Sequence, residues 1–308
     1  MTPQERPNIL VIFNPTAGAR RRRRLRRFLA ACAEGGAKVE LHQTTGPGDA
    51  RQVASHAAAQ SYDTIVAAGG DGTINETING LMQSSGGRPP ALGILALGTA
   101  NVLAAELALP RNPERAAAIV LSGARRRVQL GVANGRHFAL MAGVGFDAAV
   151  VATVDPVWKK RLRQGAYVLS CLQLLLRYRF PHYQVTVDGE TFTARSLIAC
   201  KARHYGGPFV LAPSANMEDP SLQLCIFERA GPVTAARFGI ALLRGKLHSA
   251  RGVRLLQAAE VRVEGPDGDP VQGDGELVAE LPLLLSIAQS GLDVLVPGQQ
   301  APALRQAA

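Results

Sequence analysis

The sequence predicts a doubly wound α/β domain followed by an antiparallel β-sandwich-like domain, with the C-terminal segment returning to the first. Three observations carry this. In the first third of the chain, short apolar runs alternate with helical periodicity, and each run ends in a glycine- or threonine-bearing loop, the pattern of βα units around a parallel sheet. Beyond Arg125, strand-like segments follow one another, and Asn134-Gly135 and Asp188-Gly189 punctuate them with hairpin chemistry. Finally, 308 residues with 47% hydrophobic and 19% charged content suffice for two cores. The expected bounds are 1–125 for the α/β domain, with 283–308 packing back on it, and 126–282 for the β-rich domain.

Asn8 to Phe13, NILVIF, is a continuous apolar run suited to a strand covered on both faces. Asn14-Pro15-Thr16-Ala17-Gly18 ends it. A helix follows in which every position from Arg20 to Arg27 except Leu25 is arginine, with Phe28, Leu29 and Cys32 completing an apolar side. That run reads either as a solvated helix face or as an attractor of anionic lipid head groups or nucleotide phosphate. Lys38 to Gln43 is a second strand, and the turn from Thr44 to Asp49 enters the helix Ala50 to Gln60.

Thr64 to Met82, TIVAAGGDGTINETINGLM, reads as strand, glycine-rich turn and helix. The glycines let backbone approach a ligand, and the helix N-terminus that follows suits phosphate. Asp71 beside phosphate makes chemical sense as a holder of a cation or handler of a proton. Another strand, Leu92 to Leu95, ends in Gly98-Thr99-Ala100-Asn101 and opens the helix Val102 to Leu107. Four loops therefore gather at the carboxyl ends of parallel strands, where such sheets bind ligands.

In the second domain, strands are expected at Arg127–Leu130, His137–Met141, Tyr183–Val187, Thr191–Ala194, Ser196–Lys201, Leu222–Phe227 and Glu260–Glu264. A helical passage from Val157 to Phe180 has basic and aromatic ends around an apolar middle, and reads as a core helix or as an interfacial helix for lipid. Gln272-Gly273-Asp274-Gly275-Glu276 reads alone as a solvated turn. Beside a phosphate-binding rim it becomes a candidate general base, because a phosphoacceptor hydroxyl needs a carboxylate near its proton.

Thirty-four Lys and Arg against 24 Asp and Glu, a formal net charge of +10, point to an anionic partner. Nucleic acid is not expected, since no aromatic stacking residues interleave with the arginines. Cys32, Cys171, Cys200 and Cys225 are dispersed, with no CxxC pair, as in a reducing compartment. No signal peptide is readable, and Tyr167–Leu176 and Leu281–Ile287 fall short of the roughly 20 apolar residues of a spanning helix. The expectation is a cytoplasmic, peripherally membrane-associated protein. Neither GxxxxGK[ST] nor GxGxxG occurs in the relevant loops, which sets aside Walker-type ATPases and dinucleotide oxidoreductases.

With these motifs assembled, the chain resembles the diacylglycerol kinase catalytic-domain family, which includes bacterial soluble lipid kinases and sphingosine kinases. The resemblance rests on NPTAG at Asn14 to Gly18, GGDGTINE at Gly69 to Glu76, GTAN at Gly98 to Asn101, GFD at Gly145 to Asp147, APSANMEDPSLQL at Ala212 to Leu224 and GDGE at Gly273 to Glu276. It implies ATP and Mg2+ as cofactors and a membrane lipid as substrate. It also implies an ATP site at Asn14, Thr16, Thr44, Gly69, Gly70, Asp71, Gly72, Thr73, Ile74, Asn75 and Thr99. Asp71 falls at the metal-phosphate centre, and Asp274 and Glu276 at the proton-accepting position. The family's structural magnesium maps onto the Asp219 carboxylate with Asn216 and Ser221. Two departures stand out: Val102 replaces an aspartate that many relatives carry after GT-x-N, and Pro220 replaces a common glycine after the metal-site aspartate, changing that loop through its fixed φ.

The leading expectation is thus an ATP-dependent lipid kinase acting on a hydroxyl of diacylglycerol, phosphatidylglycerol or a sphingoid base. The alternatives are a kinase of a soluble acceptor, like NAD kinase or phosphofructokinase, and a catalytically silent lipid- or nucleotide-binding relative. Expected partners are the lipid and an anionic membrane surface, met through Arg20–Arg27 and the Val157–Phe180 helix. A homodimer is admitted as an assembly, though no residue specifies it.

Overall fold

A computed structural model describes residues 6–15, 19–83, 88–153, 174–175, 177–205 and 209–298. The chain divides into two compact units, Met1–Arg127 with Leu292–Ala308, and Val128–Gly291. Thr16, Cys171 and most of the expected helix from Val157 to Phe180 lie outside the described residues.

The first unit runs β1 (Asn8–Phe13), α1 (Ala19–Glu34), β2 (Lys38–Gln43), α2 (Asp49–Ala58), β3 (Thr64–Gly69), α3 (Asp71–Met82), β4 (Ala91–Ala96), α4 (Val102–Glu106), α5 (Pro113–Ser122) and β5 (Arg125–Val128). Every position of β3 and β4 is buried, as their unbroken apolar sequence requires of central strands in a sheet covered on both faces. Side chains alternate across β1: Ile9, Val11 and Phe13 join a core with Leu25, Phe28 and Cys32 of α1 and Ala116, Ala117 and Val120 of α5. Leu10 and Ile12, buried as well, belong to the opposite face, where α2 packs on α3. That helix pair is close because Gly80 stands where a Cβ would lie 2.3 Å from the Arg51 carbonyl oxygen.

The second unit contains β6 (Gly131–Ala133), β7 (Arg136–Phe138), β8 (Met141–Gly145), α6 (Phe146–Thr153), β9 (Tyr183–Val187), β10 (Glu190–Ala194), β11 (Ser196–Cys200), β12 (His204–Tyr205), β13 (Phe209–Val210), β14 (Leu222–Phe227), α7 (Pro232–Leu243), β15 (Val253–Ala258), β16 (Glu260–Glu264), β17 (Pro270–Gly273), β18 (Glu276–Glu280) and β19 (Leu283–Ile287). Two six-stranded sheets, ordered β10-β9-β16-β19-β6-β7 and β15-β14-β11-β8-β17-β18, face one core that includes Phe138, Val144, Tyr183, Leu197, Leu224, Val263 and Leu285. The hairpin turns Asn134-Gly135 and Asp188-Gly189 have positive φ at both residues, as the sequence chemistry anticipates, and Asp274-Gly275 between β17 and β18 is a third of the same kind.

The last strand, β20 (Leu292–Leu295), pairs parallel to β4 and completes the first sheet in the order β2-β1-β3-β4-β20-β5. Chain order reverses at β1, which has β2 on one side and β3 on the other. The crevice beyond the carboxyl ends of β1 and β3 is therefore the topological switch point, the ligand position of open α/β sheets.

Four sequence expectations shift. Arg125–Val128 is the edge strand of the first sheet, not the start of the second domain. Leu283–Ile287 pairs with β16 and β6, so among the described residues the return to the first unit begins at Leu292, not at Leu283. Burial explains the second change: Leu283 and Leu285 alternate into a one-sided core, whereas all of Leu292–Leu295 is buried, as in a sheet covered on both faces. The single strand expected over His137–Met141 is split into β7 and β8, because the amides between them are taken by a carboxylate of the β17–β18 turn. At the end of the expected Val157–Phe180 helix, Tyr178–Phe180 is not helical; Tyr178 and Phe180 pack on Phe146, and Arg195 donates to the Phe180 carbonyl at 2.7 Å.

Candidate active site

In the first unit, the loops after β1, β3 and β4 are joined by backbone. Gly69 ends β3 and its carbonyl accepts the amides of Leu97 (2.8 Å) and Gly98 (3.0 Å); the Ala68 carbonyl accepts Asn14 N at 3.2 Å. Gly98 rests on Gly70 so closely that a Cβ on Gly98 would lie 2.5 Å from the Gly70 Cα. Gly98→Ala is accordingly expected to destabilise the first unit by about 1–3 kcal/mol, the range for overpacking a fitted contact, read as a lower denaturation midpoint in urea.

Asp71 is the first residue of α3, and its side chain spans to the GTAN loop. Its carboxylate accepts Asn101 N at 2.8 Å and Val102 N at 2.7 Å, the amides that open α4. Burial pushes the Asp71 carboxyl above its ordinary range, and the amides of Val102 and Asn101 pull it back. The residue thus acts first as a clasp between two loops, with its negative charge at two helix N-termini. Val102 buries its side chain and contributes its amide to this clasp. Asn101 holds a left-handed conformation (φ 51°), donates Nδ2 to the Gly98 carbonyl at 2.9 Å, and leaves a buried Oδ1 with no partner among the described residues.

The other expected contacts are distributed around this clasp. Asn14 Nδ2 reaches Thr73 Oγ1 at 3.4 Å, Thr44 is buried with its amide donated to the Phe13 carbonyl at 2.8 Å, and Thr99 is exposed. Ile74 is buried and its amide is donated to the Gly70 carbonyl, while Asn75 accepts Asn79 Nδ2 on Oδ1 at 3.1 Å. Glu76 ties in the loop before α2 by accepting Gly48 N at 2.9 Å. The glycine turn and the α3 N-terminus fit the phosphate-bearing group the sequence anticipates, while the orphaned Asn101 Oδ1, an acceptor, suits a donor or a cation and not phosphate itself.

In the second unit, Asp274 and Glu276 have different surroundings. The Asp274 carboxylate accepts the amides of Ala139 (2.8 Å), Leu140 (2.8 Å) and Met141 (3.0 Å), and its own amide bonds the Met141 carbonyl. Glu276 is half-buried at the start of β18. Behind the turn lies a buried relay that the sequence reading did not assign a role. Gly275 N donates to Gln272 Oε1 at 3.0 Å, Gln272 Nε2 donates to Asp147 Oδ2 at 2.6 Å, and Tyr205 donates its hydroxyl to Asp147 Oδ1. Burial raises the Asp147 carboxyl, and the Tyr205 and Gln272 bonds oppose it. The legible signal for Asp147 was an acid following the all-apolar run MAGVGF; Gln272 and Tyr205 carried none.

The expected metal ligands Asn216, Asp219 and Ser221 do converge, but on Lys201. This lysine ends the apolar run SLIAC of β11 and is fully buried. Its Nζ donates to the carbonyls of Asn216 (3.2 Å), Asp219 and Ser221 (3.0 Å). Burial lowers its pKa to about 8, against the pull of Asp219, and three carbonyl acceptors call for the protonated amine with its three N–H donors. No group of three or more His, Cys, Asp or Glu side chains suited to a metal occurs among the described residues.

An α/β unit with GGDGT and GTAN loops clasped at its switch point, joined to an antiparallel sandwich, is the architecture of a two-domain kinase. Residues 8–133 match the model of the diacylglycerol kinase catalytic domain, and residues 141–296 that of the YegS C-terminal NAD kinase beta sandwich-like domain. The chain is 30% identical over 298 residues to the diacylglycerol kinase of Bacillus subtilis, covering 96% of this chain and 98% of that one. It is 32% identical over 309 residues to the "Probable lipid kinase YegS-like" of Pseudomonas aeruginosa, covering 97% and 96%. The crystal structure of a diacylglycerol kinase from Bacillus anthracis shares the fold with a TM-score of 0.77 at 22% identity, covering 96% of this chain and 99% of that one. Yeast NADH kinase shares it more distantly, at 0.55 and 13%, covering 96% and 85%. The chain belongs to the diacylglycerol kinase catalytic-domain family.

Proposed function

We propose that this protein is an ATP- and Mg2+-dependent lipid kinase that transfers the γ-phosphoryl group to a hydroxyl of a membrane lipid such as diacylglycerol, phosphatidylglycerol or a sphingoid base. The observation that carries the reading is the Asp71 clasp, which holds the GGDGT and GTAN loops as one phosphate-sized cradle at the switch point. ATP supplies the transferred phosphoryl group, and Mg2+ with it shields the phosphate charge. The chain's own part is positioning: the α3 N-terminus and the glycine turn would hold the phosphates, and Asn101 Oδ1 would accept from a donor or ligate the accompanying cation. A carboxylate must take the hydroxyl proton, and we assign this to Glu276: Asp274 accepts three backbone amides and serves the turn, and Glu276 opens β18 directly after it.

Incubation with labelled ATP and a total lipid extract tests the assignment: label is expected in an organic-phase lipid. With NAD added to the same mixture, label in NADP instead would favour the soluble-acceptor reading that the GGDG turn allows, and ATP binding without transfer to any acceptor would favour a silent relative.

Membrane association is part of the proposal. Among the described residues no helix is long and apolar enough to cross a bilayer. On α1, Arg24 and Arg27 are engaged by the Arg111 carbonyl and Glu114, while Arg20, Arg22, Arg23 and Arg26 are exposed. On α7, Val233, Ile240 and Leu243 are exposed next to exposed Arg237, Arg244 and Lys246, an apolar face with a basic border suited to an anionic interface. Ile240→Asp with Leu243→Asp is expected to reduce co-sedimentation with phosphatidylglycerol vesicles several-fold. The arginine contribution should fade as salt shortens the Debye length, about 10 Å at 0.1 M.

A further inference from the structure

The family resemblance places a structural magnesium at Asn216, Asp219 and Ser221, and the residues present do not fit it. Three carbonyl oxygens that such an ion would draw inward surround Lys201 Nζ instead, at hydrogen-bonding distances of 3.0 and 3.2 Å for Ser221 and Asn216. Mg2+ demands oxygens at about 2.0–2.1 Å. The Asp219 carboxylate is turned to the loop itself, where Oδ1 accepts Asn216 Nδ2 at 3.0 Å, and Asn216 Oδ1 accepts Glu218 N at 3.0 Å. Pro220 fixes φ between two of the accepting carbonyls, those of Asp219 and Ser221.

We propose that in this protein the structural cation of the Asn216–Ser221 loop is the ammonium of Lys201, and that the second unit folds without a divalent ion there. The chemistry is matched in number and sign. An ammonium has three N–H donors and no acceptor, and the loop presents three carbonyls. The cation is tethered to β11, which pairs with β14 immediately after the loop, so one side chain fixes the loop to both strands. A tethered charge is not lost to a chelator and needs no capture from solution. A divalent ion entering the loop would meet a positive charge within about 3 Å, repelled most strongly where the dielectric is low.

The test uses the full-length, nucleotide-free protein, followed by thermal unfolding after exhaustive EDTA treatment and again in millimolar Mg2+ or Ca2+. The unfolding temperature is expected to agree between these conditions to within about 1 °C, well inside the effect of 1 kcal/mol, with no stoichiometric divalent metal in elemental analysis of the untreated protein. A drop of several degrees in EDTA, restored by Mg2+ or Ca2+ and abolished by Asp219→Asn, would overturn the proposal. Lys201→Met keeps length and apolar bulk but removes the three-donor group that the carbonyls of Asn216, Asp219 and Ser221 share, of which that of Asn216 keeps the Asp219 amide at 3.3 Å, and is expected to unfold several degrees below wild type in either condition. Unfolding at the wild-type temperature would equally sink the idea. The chelator arm requires no variant, so the question is decided even where Lys201→Met is not recovered folded.

Discussion

Glu276→Gln is expected to slow phosphoryl transfer to lipid by about 10²- to 10⁴-fold, the usual contribution of a positioned proton acceptor, while shifting thermal unfolding by no more than about 1–2 °C. Asp274→Asn is expected to show the reverse emphasis. The carboxamide has one acceptor oxygen where the carboxylate had two, so its NH2 must face an amide N–H among Ala139, Leu140 and Met141. An unpaired or opposed buried donor costs about 1–3 kcal/mol, and the unfolding midpoint should fall accordingly. Any rate loss in Asp274→Asn should follow the loosened turn. Measuring rate and stability on both variants separates the roles: a Glu276→Gln enzyme that turns over normally while Asp274→Asn is stable and inactive would exchange them.

Asp71→Ala carries the second large effect. It removes the clasp, leaving the amides of Asn101 and Val102 without their acceptor, and frees the GTAN loop from the GGDGT turn. Transfer is expected to fall at least 10²-fold, comparable with loss of one preorganised charge-stabilising group, accompanied by weaker ATP binding in calorimetry. Asp71→Asn should recover part of the loop order but little of the rate, because an NH2 group would again oppose an amide donor. If Asp71→Ala bound ATP as tightly as wild type, the positioning role would be refuted.

Much of the first unit was legible because turn chemistry ends its strands sharply. Asn8–Phe13, a continuous apolar run, and Lys38–Gln43, an alternating edge strand, match β1 and β2 residue for residue. In the second unit, Leu222–Phe227, Tyr183–Val187 and Glu260–Glu264 were equally plain. The amphipathic α7 and the β17–β18 hairpin were not: α7 buries no residue fully, so its pattern does not follow a core, and β17 is four residues long. The site divides in the same way. Glycine-rich loops announce themselves because few other sequences adopt their backbone. What a carboxylate does is written in its partners, and the partners of Asp71, Asp147 and Asp274 come from 30 to 135 positions away. Lys201 shows the limit: a lysine closing an apolar strand looks like a strand end, and only tertiary structure surrounds it with carbonyls.

The return of β20 also bears on how the chain is made. Unit one is discontinuous: β5 joins its sheet only beside β20, and buried Asp293 on that strand gathers Arg88, Arg125 and Arg127. During synthesis the edge of β4 therefore stands open, with three arginines lacking their shared counter-charge, until β20 has emerged from the ribosome. Domains usually fold in the order they emerge. Here the N-terminal unit, first to appear, is the last able to finish, and an open strand edge is what chaperones must cover meanwhile.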